Sequence, residues 1–66
     1  MLEGERLISD AMDAGANAEA IFFSDTKLLA TLPLTNYPSI QLYQLHYNKI
    51  QLWSDLTTSP GIMGKI

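Results

Sequence analysis

Few residues of this 66-residue sequence could carry out chemistry. There is one histidine, His46, and no cysteine, so a structural zinc site of the usual Cys/His kind cannot be built. His46 could act as a general base, but it stands at the end of a predicted strand, where a partly exposed structural role is the favoured interpretation. Ser54 has no histidine at helical spacing and is interpreted as a helix-end hydroxyl. We therefore expect no catalytic residue and no metal ligand in this chain.

The carboxylates and glycines form no catalytic or phosphate-binding pattern either. Glu3 and Glu5 flank Gly4, and an acidic side chain there favours the positive end of a following helix. Gly61 and Gly64 lack the lysine and the strand-loop-helix setting of a P-loop. The sequence thus gives no support for an enzyme that acts on its own.

Length, composition and charge limit the class of protein further. The chain can hold one domain at most, and 47% of its residues are hydrophobic. That surplus faces another domain or subunit, or lies under helices on both faces of a sheet. No apolar run approaches the roughly 20 residues of a membrane span, and we expect no membrane partner. The charged start matches no signal or transit segment, so any targeting segment is expected outside this sequence.

Hydrophobic periodicity predicts alternating strands and helices. The first predicted elements are an extended piece from Leu2 to Gly4, a helix at about 5–14 ended by Gly15, and a buried strand at 20–23. A short helix follows, capped by Ser24 or Asp25 and limited by Pro33, and it carries Leu28, Leu29 and Leu32. The last predicted elements are a strand at 39–45, a short helix capped by Asn48 with Ile50, Trp53 and Leu56 pointing inward, a loop at 57–61, and a strand at Ile62-Met63. Apolar residues on both faces of the strand at 39–45 predict an inner strand. The alternation predicts an α/β fold with a mainly parallel sheet and helices on its faces.

Four segments resemble the SpoU/TrmH-type RNA ribose 2′-O-methyltransferase family, in the order found there. Residues 2–11 resemble the "EG-x-R-L-(V/I)-x-x-A" opening of its substrate-binding domain, and residues 20–24 resemble its second strand. Residues 50–55 are similar to the short helix before its interdomain loop. The stretch Trp53-Ser54-Asp55-Leu56 most resembles the mitochondrial large-subunit rRNA methyltransferases of this family. Residues 57–64 resemble the "T-x-(S/T)-P-x-G-(I/V)" segment that enters the catalytic domain, except that the usual Gln before the glycine is missing.

The resemblance implies an RNA substrate-binding domain at residues 1–56, followed at 57–66 by the interdomain loop and the start of a catalytic domain that this chain lacks. It implies the small three-layer α/β/α sandwich of ribosomal and kink-turn-binding proteins. The absent domain would use S-adenosylmethionine and supply the homodimer interface, so this chain alone would bind no cofactor and be inactive. The implied partners are structured RNA, preferably rRNA, and the C-terminal catalytic domain. The implied location is the mitochondrial matrix, with the cytoplasm as the alternative.

The resemblance places the RNA contacts at Glu3, Gly4 and Arg6. Gly4 would allow a tight strand-to-helix turn near the RNA, and Arg6 could reach a phosphate or a base edge. The alternative for Arg6 is a salt bridge to Asp10, four residues along the helix. The remaining basic residues are expected on the solvated surface, and they are Lys27, Lys49 and Lys65.

The aromatic residues and the net charge are compatible with a second function besides RNA binding. Tyr43 and Tyr47 could stack on unpaired bases, although packing on the sheet is favoured, and Trp53 is expected in the core or at an interdomain contact. The net charge of −3 argues against tight RNA binding by the chain alone. The alternative is a non-catalytic protein-interaction or structural domain. Basic side chains gathered on one face with residues 3–5 would favour RNA, whereas scattered ones would favour the alternative.

Overall fold

The computed structural model describes residues 2–65, so the outer ends of the predicted segments 1–56 and 57–66 lie outside the described residues. Within this range the elements are β1 (Leu2–Glu3), α1 (Glu5–Asp13), β2 (Ala20–Phe23), 3-10 helices at Thr26–Leu29 and Leu34–Asn36, β3 (Gln41–Gln44), α2 (Tyr47–Trp53) and β4 (Ile62–Lys65). The predicted order of strands and helices is confirmed, except that 3-10 turns replace the helix predicted between β2 and β3. In this range no helix is long and apolar enough to cross a membrane.

The sheet is mixed, with the strand order β1-β4-β2-β3. β2 and β3 are parallel, and Phe22 lies opposite Tyr43. β4 is antiparallel to both of its neighbours, and Met63 lies opposite Glu3 on one side and Phe22 on the other. The prediction of a mainly parallel sheet is therefore wrong. After α2 the chain returns along residues 54–61 to the edge where α2 began, so β4 runs against the other three strands.

The second error concerns β3, which was predicted to be an inner strand. It is an edge strand whose four residues are all exposed. Leu42 and Tyr43 point to opposite faces, as neighbours on a strand must, and both faces are open beside β3. Apolar residues on both faces of this strand are thus left partly in water.

The main core lies between α1 and one face of the sheet. Its buried members are Ile8, Met12, Ile21, Phe23, Leu32 and Ile62. α1 approaches the sheet closely at Gly64, where an added Cβ would lie 3.0 Å from Cγ1 of Ile8. The helix ends in a Schellman motif around Gly15, in which the N–H of Ala16 bonds to the carbonyl of Ala11. The predicted helix end is confirmed.

The opposite face of the sheet is covered only in part by α2. Ile50 is fully buried, as predicted, but Trp53 and Leu56 are about half exposed rather than inward. A seven-residue helix is too short to cover four strands. Within the described residues the third layer of the predicted sandwich is therefore incomplete.

Candidate nucleic-acid interface

β1, β2 and β3 run in the same direction and end at one edge of the sheet, here called the carboxyl edge. It consists of residues 4–6, 24–27 and 45–49, which follow these strands, and residues 59–61, which lead into β4. Backbone hydrogen bonds join these segments, from Gly4 N to the Ile62 carbonyl at 3.1 Å and from Ser24 N to the Gly61 carbonyl at 3.0 Å. The carboxyl ends of strands are where open α/β sheets most often bind ligands.

Gly4 forms the turn between β1 and α1 with φ of 100° and ψ of 142°. Residues with a side chain rarely adopt this conformation. Its carbonyl accepts the first α1 hydrogen bond, from Ile8 N at 3.1 Å. No side chain caps the helix start, so the first turn of α1 presents its backbone N–H groups without a side-chain partner. The predicted tight strand-to-helix turn at Gly4 is confirmed.

Arg6 is exposed in the first turn of α1. It borders a shallow depression of about 310 Å³ whose other lining residues are Glu5, Ser9, Asp10 and Thr31. The ion pair present among residues 2–65 joins Lys65 to Glu19, so the alternative salt bridge between Arg6 and Asp10 is not formed. The guanidinium group is consequently available to an outside phosphate.

The carboxylate of Glu3 accepts hydrogen bonds from other residues of the chain. One carboxylate oxygen accepts a hydrogen bond from the Ser54 hydroxyl, and the other accepts from Asp55 N at 3.1 Å. Glu3 thereby fastens the residues after α2 to β1. A direct contact between Glu3 and RNA stays a prediction, and so do the contacts of Gly4 and Arg6.

The acidic groups near the carboxyl edge act as hydrogen-bond acceptors for the chain itself. Besides Glu3, Glu5 accepts from the Thr31 hydroxyl at 3.0 Å, and Asp25 accepts from the backbone N–H of Lys27 at 2.9 Å. The latter bond confirms Asp25 as the cap of the first 3-10 helix. These carboxylates hold loops in place rather than pairing with the nearby cations.

Three of the four basic residues lie at the carboxyl edge. Arg6 follows β1, Lys27 follows β2 and Lys49 follows β3, and all three are exposed and form no ion pair within residues 2–65. Lys65 lies at the opposite edge, where its ammonium group is 3.5 Å from the carboxylate of Glu19. These three cations share one end of the sheet but not one face, because Arg6 lies in α1 and Lys49 lies in α2 on the opposite face. They are thus neither gathered on one face nor scattered over the whole surface. Lys27 and Lys49 lie on the solvated surface, as expected, but their position at the same end of the sheet as Arg6 could not be predicted from the sequence because it depends on the strand directions.

The remaining candidate residues have structural roles. His46 caps α2, since its Nδ1 accepts from Asn48 N at 3.2 Å, so the predicted cap at Asn48 is wrong by two residues. The Tyr47 hydroxyl donates to the Ser59 carbonyl at 2.7 Å, which supports packing rather than stacking for Tyr47. In the described part of the chain no three His, Cys, Asp or Glu side chains are close enough to hold a metal ion.

Exposed aromatic rings lie on the sheet face that α2 partly covers. The Phe22 and Tyr43 rings are stacked, with centroids 5.3 Å apart and an interplanar angle of 17°. Trp53 meets Phe22 edge to face, at 5.7 Å and 86°. Tyr43 packs on the sheet as predicted, yet it remains 45% exposed. Trp53 remains 50% exposed, so it does not lie in the core, and an interdomain contact stays a prediction.

Comparison with known proteins points to one group. The chain is 46% identical over 63 residues to "rRNA methyltransferase 3A, mitochondrial" of Danio rerio. It is 45% and 44% identical over 64 residues to "rRNA methyltransferase 3, mitochondrial" of Homo sapiens and Mus musculus, respectively. These alignments cover 96–97% of this chain but only 14–15% of the relatives. No family model and no solved structure matches the chain. The chain is therefore homologous, over nearly all its length, to a small part of proteins named as rRNA methyltransferases.

Proposed function

We propose that this chain is the RNA substrate-binding part of a mitochondrial rRNA ribose 2′-O-methyltransferase of the SpoU/TrmH type. Residues 1–56 hold structured rRNA, and residues 57–66 lead into a catalytic domain that this chain lacks. The observation that carries the proposal is 44–46% identity, over 96–97% of the chain, to proteins named mitochondrial rRNA methyltransferases 3 and 3A.

The geometry of the carboxyl edge supports RNA binding. Phosphate contacts by Lys and Arg supply most of the affinity of proteins for nucleic acids, and Arg6, Lys27 and Lys49 are exposed there without an ion pair in residues 2–65. Gly4 brings the backbone to the same edge. RNA would therefore lie across the ends of β1, β2 and β3.

A catalytic domain that shares the binding of RNA with this chain would explain why the chain can carry a net negative charge. With a net charge of −3, the chain would bind RNA weakly by itself. Joined to a catalytic domain that holds the same RNA, it would bind at a raised effective concentration. S-adenosylmethionine and the homodimer interface belong, in this proposal, to that other domain, and the chain alone transfers no methyl group.

The test is a fluorescence titration of a labelled structured rRNA fragment with this chain, at low and then at physiological salt. We expect affinity that falls with salt, and an additional loss of about 1 kcal/mol or more for Arg6→Ala, because a charged hydrogen bond to phosphate is removed. Lys65→Ala is the matched control, since it removes a cation at the opposite edge. Equal losses for both variants would remove the carboxyl edge as the contact surface.

A second candidate function is a protein-interaction domain with little RNA binding. It is favoured by the large apolar side chains that are exposed, which are Leu7, Leu42, Tyr43, Tyr47, Leu52, Trp53 and Leu56. Absence of RNA binding even at low salt would overturn the first proposal and leave this one.

A further inference from the structure

Phe22, Tyr43 and Trp53 form a continuous surface of rings, here called the aromatic surface. Phe22 lies in the middle, stacked on Tyr43 and in a T-shaped contact with Trp53. Phe22 is half-buried, whereas about half of each outer ring is open to solvent. The packing among the three rings holds the exposed rings in place before any ligand arrives.

Polar groups suited to a nucleotide border the aromatic surface. Lys49 lies four residues before Trp53 in α2, so the two side chains lie on the same side of that helix. Gln41 lies two residues before Tyr43 in β3, so its amide lies on the same face of the sheet. Both side chains are exposed, and Lys49 forms no ion pair in the described chain.

We propose that the aromatic surface stacks on unpaired RNA bases while Lys49 binds a neighbouring phosphate. The inference rests on the proposed function and deepens it, because it names the class of RNA and a second part of the contact. Lys49 belongs to both the carboxyl edge and the border of the aromatic surface, so one RNA strand can follow the cations and then turn its bases onto the rings.

One observation favours RNA over a protein partner on this surface. Protein interfaces are also rich in aromatic residues but are depleted of lysine, whereas here an exposed lysine with no ion pair in residues 2–65 borders the rings, one helical turn from Trp53. Base faces stack on flat aromatic rings with little regard to sequence. The exposed parts of the Tyr43 and Trp53 rings offer this contact.

The bases must be unpaired because paired bases cover one another inside a helix. An RNA duplex shows its shallow groove and backbone, and side chains cannot reach the faces of its bases. Loops and bulges expose those faces. The favoured substrate is thus a structured RNA with an unpaired segment beside a stem, with the stem at the carboxyl edge and the unpaired bases on Tyr43 and Trp53.

Trp53 provides a direct signal for the test, since it is the chain's one tryptophan. The chain is titrated with a hairpin RNA carrying an unpaired loop, with a single-stranded oligonucleotide, and with a blunt duplex. We expect the first two to quench Trp53 fluorescence and the duplex to leave it nearly unchanged. Quenching by the wild-type chain tests the proposal without any substitution, so a variant that fails to fold cannot hide the answer.

The matched variants are Tyr43→Leu and Leu42→Ala. Tyr43 and Leu42 are neighbours on β3 and are each 45% exposed, but they lie on opposite faces of the sheet. Loss of one stacked base is expected to weaken binding of the loop RNA roughly tenfold for Tyr43→Leu, whereas Leu42→Ala binds like the wild type. Circular dichroism confirms that both variants are folded.

The other outcomes separate this inference from the proposed function. Suppose that RNA binding depends on Arg6, that RNA does not quench Trp53, and that Tyr43→Leu has no effect. This result would overturn base stacking on the aromatic surface and would retain RNA contact at the carboxyl edge. Absence of binding to all three RNAs would overturn both. Self-association that Tyr43→Leu abolishes, seen by sedimentation without quenching by RNA, would assign the surface to a second copy of the chain and overturn the inference.

Discussion

The hydroxyl of Ser54 donates a hydrogen bond to the carboxylate of Glu3, across 51 positions of sequence. The second oxygen of the same carboxylate accepts from the backbone N–H of Asp55 at 3.1 Å. One side chain thus connects β1 with the residues that follow α2. Since these residues begin the return to β4, Glu3 helps to set the path of the chain into the centre of the sheet.

Replacement of Glu3 by Gln should destabilise the fold. The amide keeps one acceptor oxygen but turns N–H donors toward a second donor, so we expect the free energy of unfolding to fall by about 1–3 kcal/mol. Urea denaturation followed by circular dichroism measures the loss. Glu5→Gln is the control, because its partner is the exposed hydroxyl of Thr31 and about 0.5 kcal/mol is expected. Equal losses would contradict the role given to Glu3.

Gly61 should tolerate alanine less well than Gly15 does. Both have positive φ, 81° and 88° respectively, so each substitution carries a backbone cost of about 1–2 kcal/mol. At Gly61 the new methyl would also lie 2.8 Å from the Ser24 hydroxyl, whereas nothing lies within 4 Å at Gly15. We expect Gly61→Ala to lose about 1–3 kcal/mol more than Gly15→Ala in thermal or urea unfolding. A difference near zero would show that Ser24 moves aside without cost.

The hydroxyl of Tyr47 should matter for stability, while that of Tyr43 should not. Tyr47→Phe leaves the carbonyl of the buried Ser59 without its hydrogen bond, at an expected cost of about 1–2 kcal/mol. Tyr43→Phe changes an exposed ring whose hydroxyl has no hydrogen-bond partner in residues 2–65, and should be neutral within about 0.5 kcal/mol. Comparison of the two unfolding midpoints is the measurement, and a Tyr43→Phe loss as large as that of Tyr47→Phe would argue against it.

Lys27 and Lys49 should each contribute to the salt dependence of RNA binding. Each phosphate contact releases counterions, so Lys27→Gln and Lys49→Gln should each reduce the slope of log affinity against log salt by about 0.7–0.9. Lys65→Gln should leave the slope unchanged, because Lys65 lies at the opposite edge beside Glu19. Titrations at four salt concentrations supply the slopes. If Lys65→Gln reduced the slope as much as the other two variants, the RNA would be attracted by the overall charge of the chain and not bound at the carboxyl edge.

Local signals in the sequence were enough for the individual elements. The helical spacing of apolar residues and the glycine at position 15 predicted α1, and the apolar run at 20–23 predicted β2. Gly4 was identified as a turn before α1, and its φ of 100° shows why the position holds glycine. In each case the signal lies within a few neighbouring residues, although the strands that pair with β2 are distant in sequence.

The order and direction of the strands could not be obtained in this way. β4 reverses the sheet because residues 54–61 return to the carboxyl edge, and this return depends on distant contacts such as that of Glu3 with Ser54. Residue types at 39–45 look the same in an inner strand and in an edge strand with uncovered faces. The position of Lys27 and Lys49 at the same end of the sheet as Arg6 could not be predicted for the same reason, because it follows from strand direction.

The central position of β4 also governs the time at which the sheet can form during synthesis. β1 is made early, but among residues 2–65 it pairs only with β4, and β4 separates it from β2. Until residues 62–65 have been synthesised, the sheet can contain no more than the β2–β3 pair. Folding is therefore expected to be late and cooperative rather than gradual from the first residue onward, as for other folds whose contacts join distant parts of the chain.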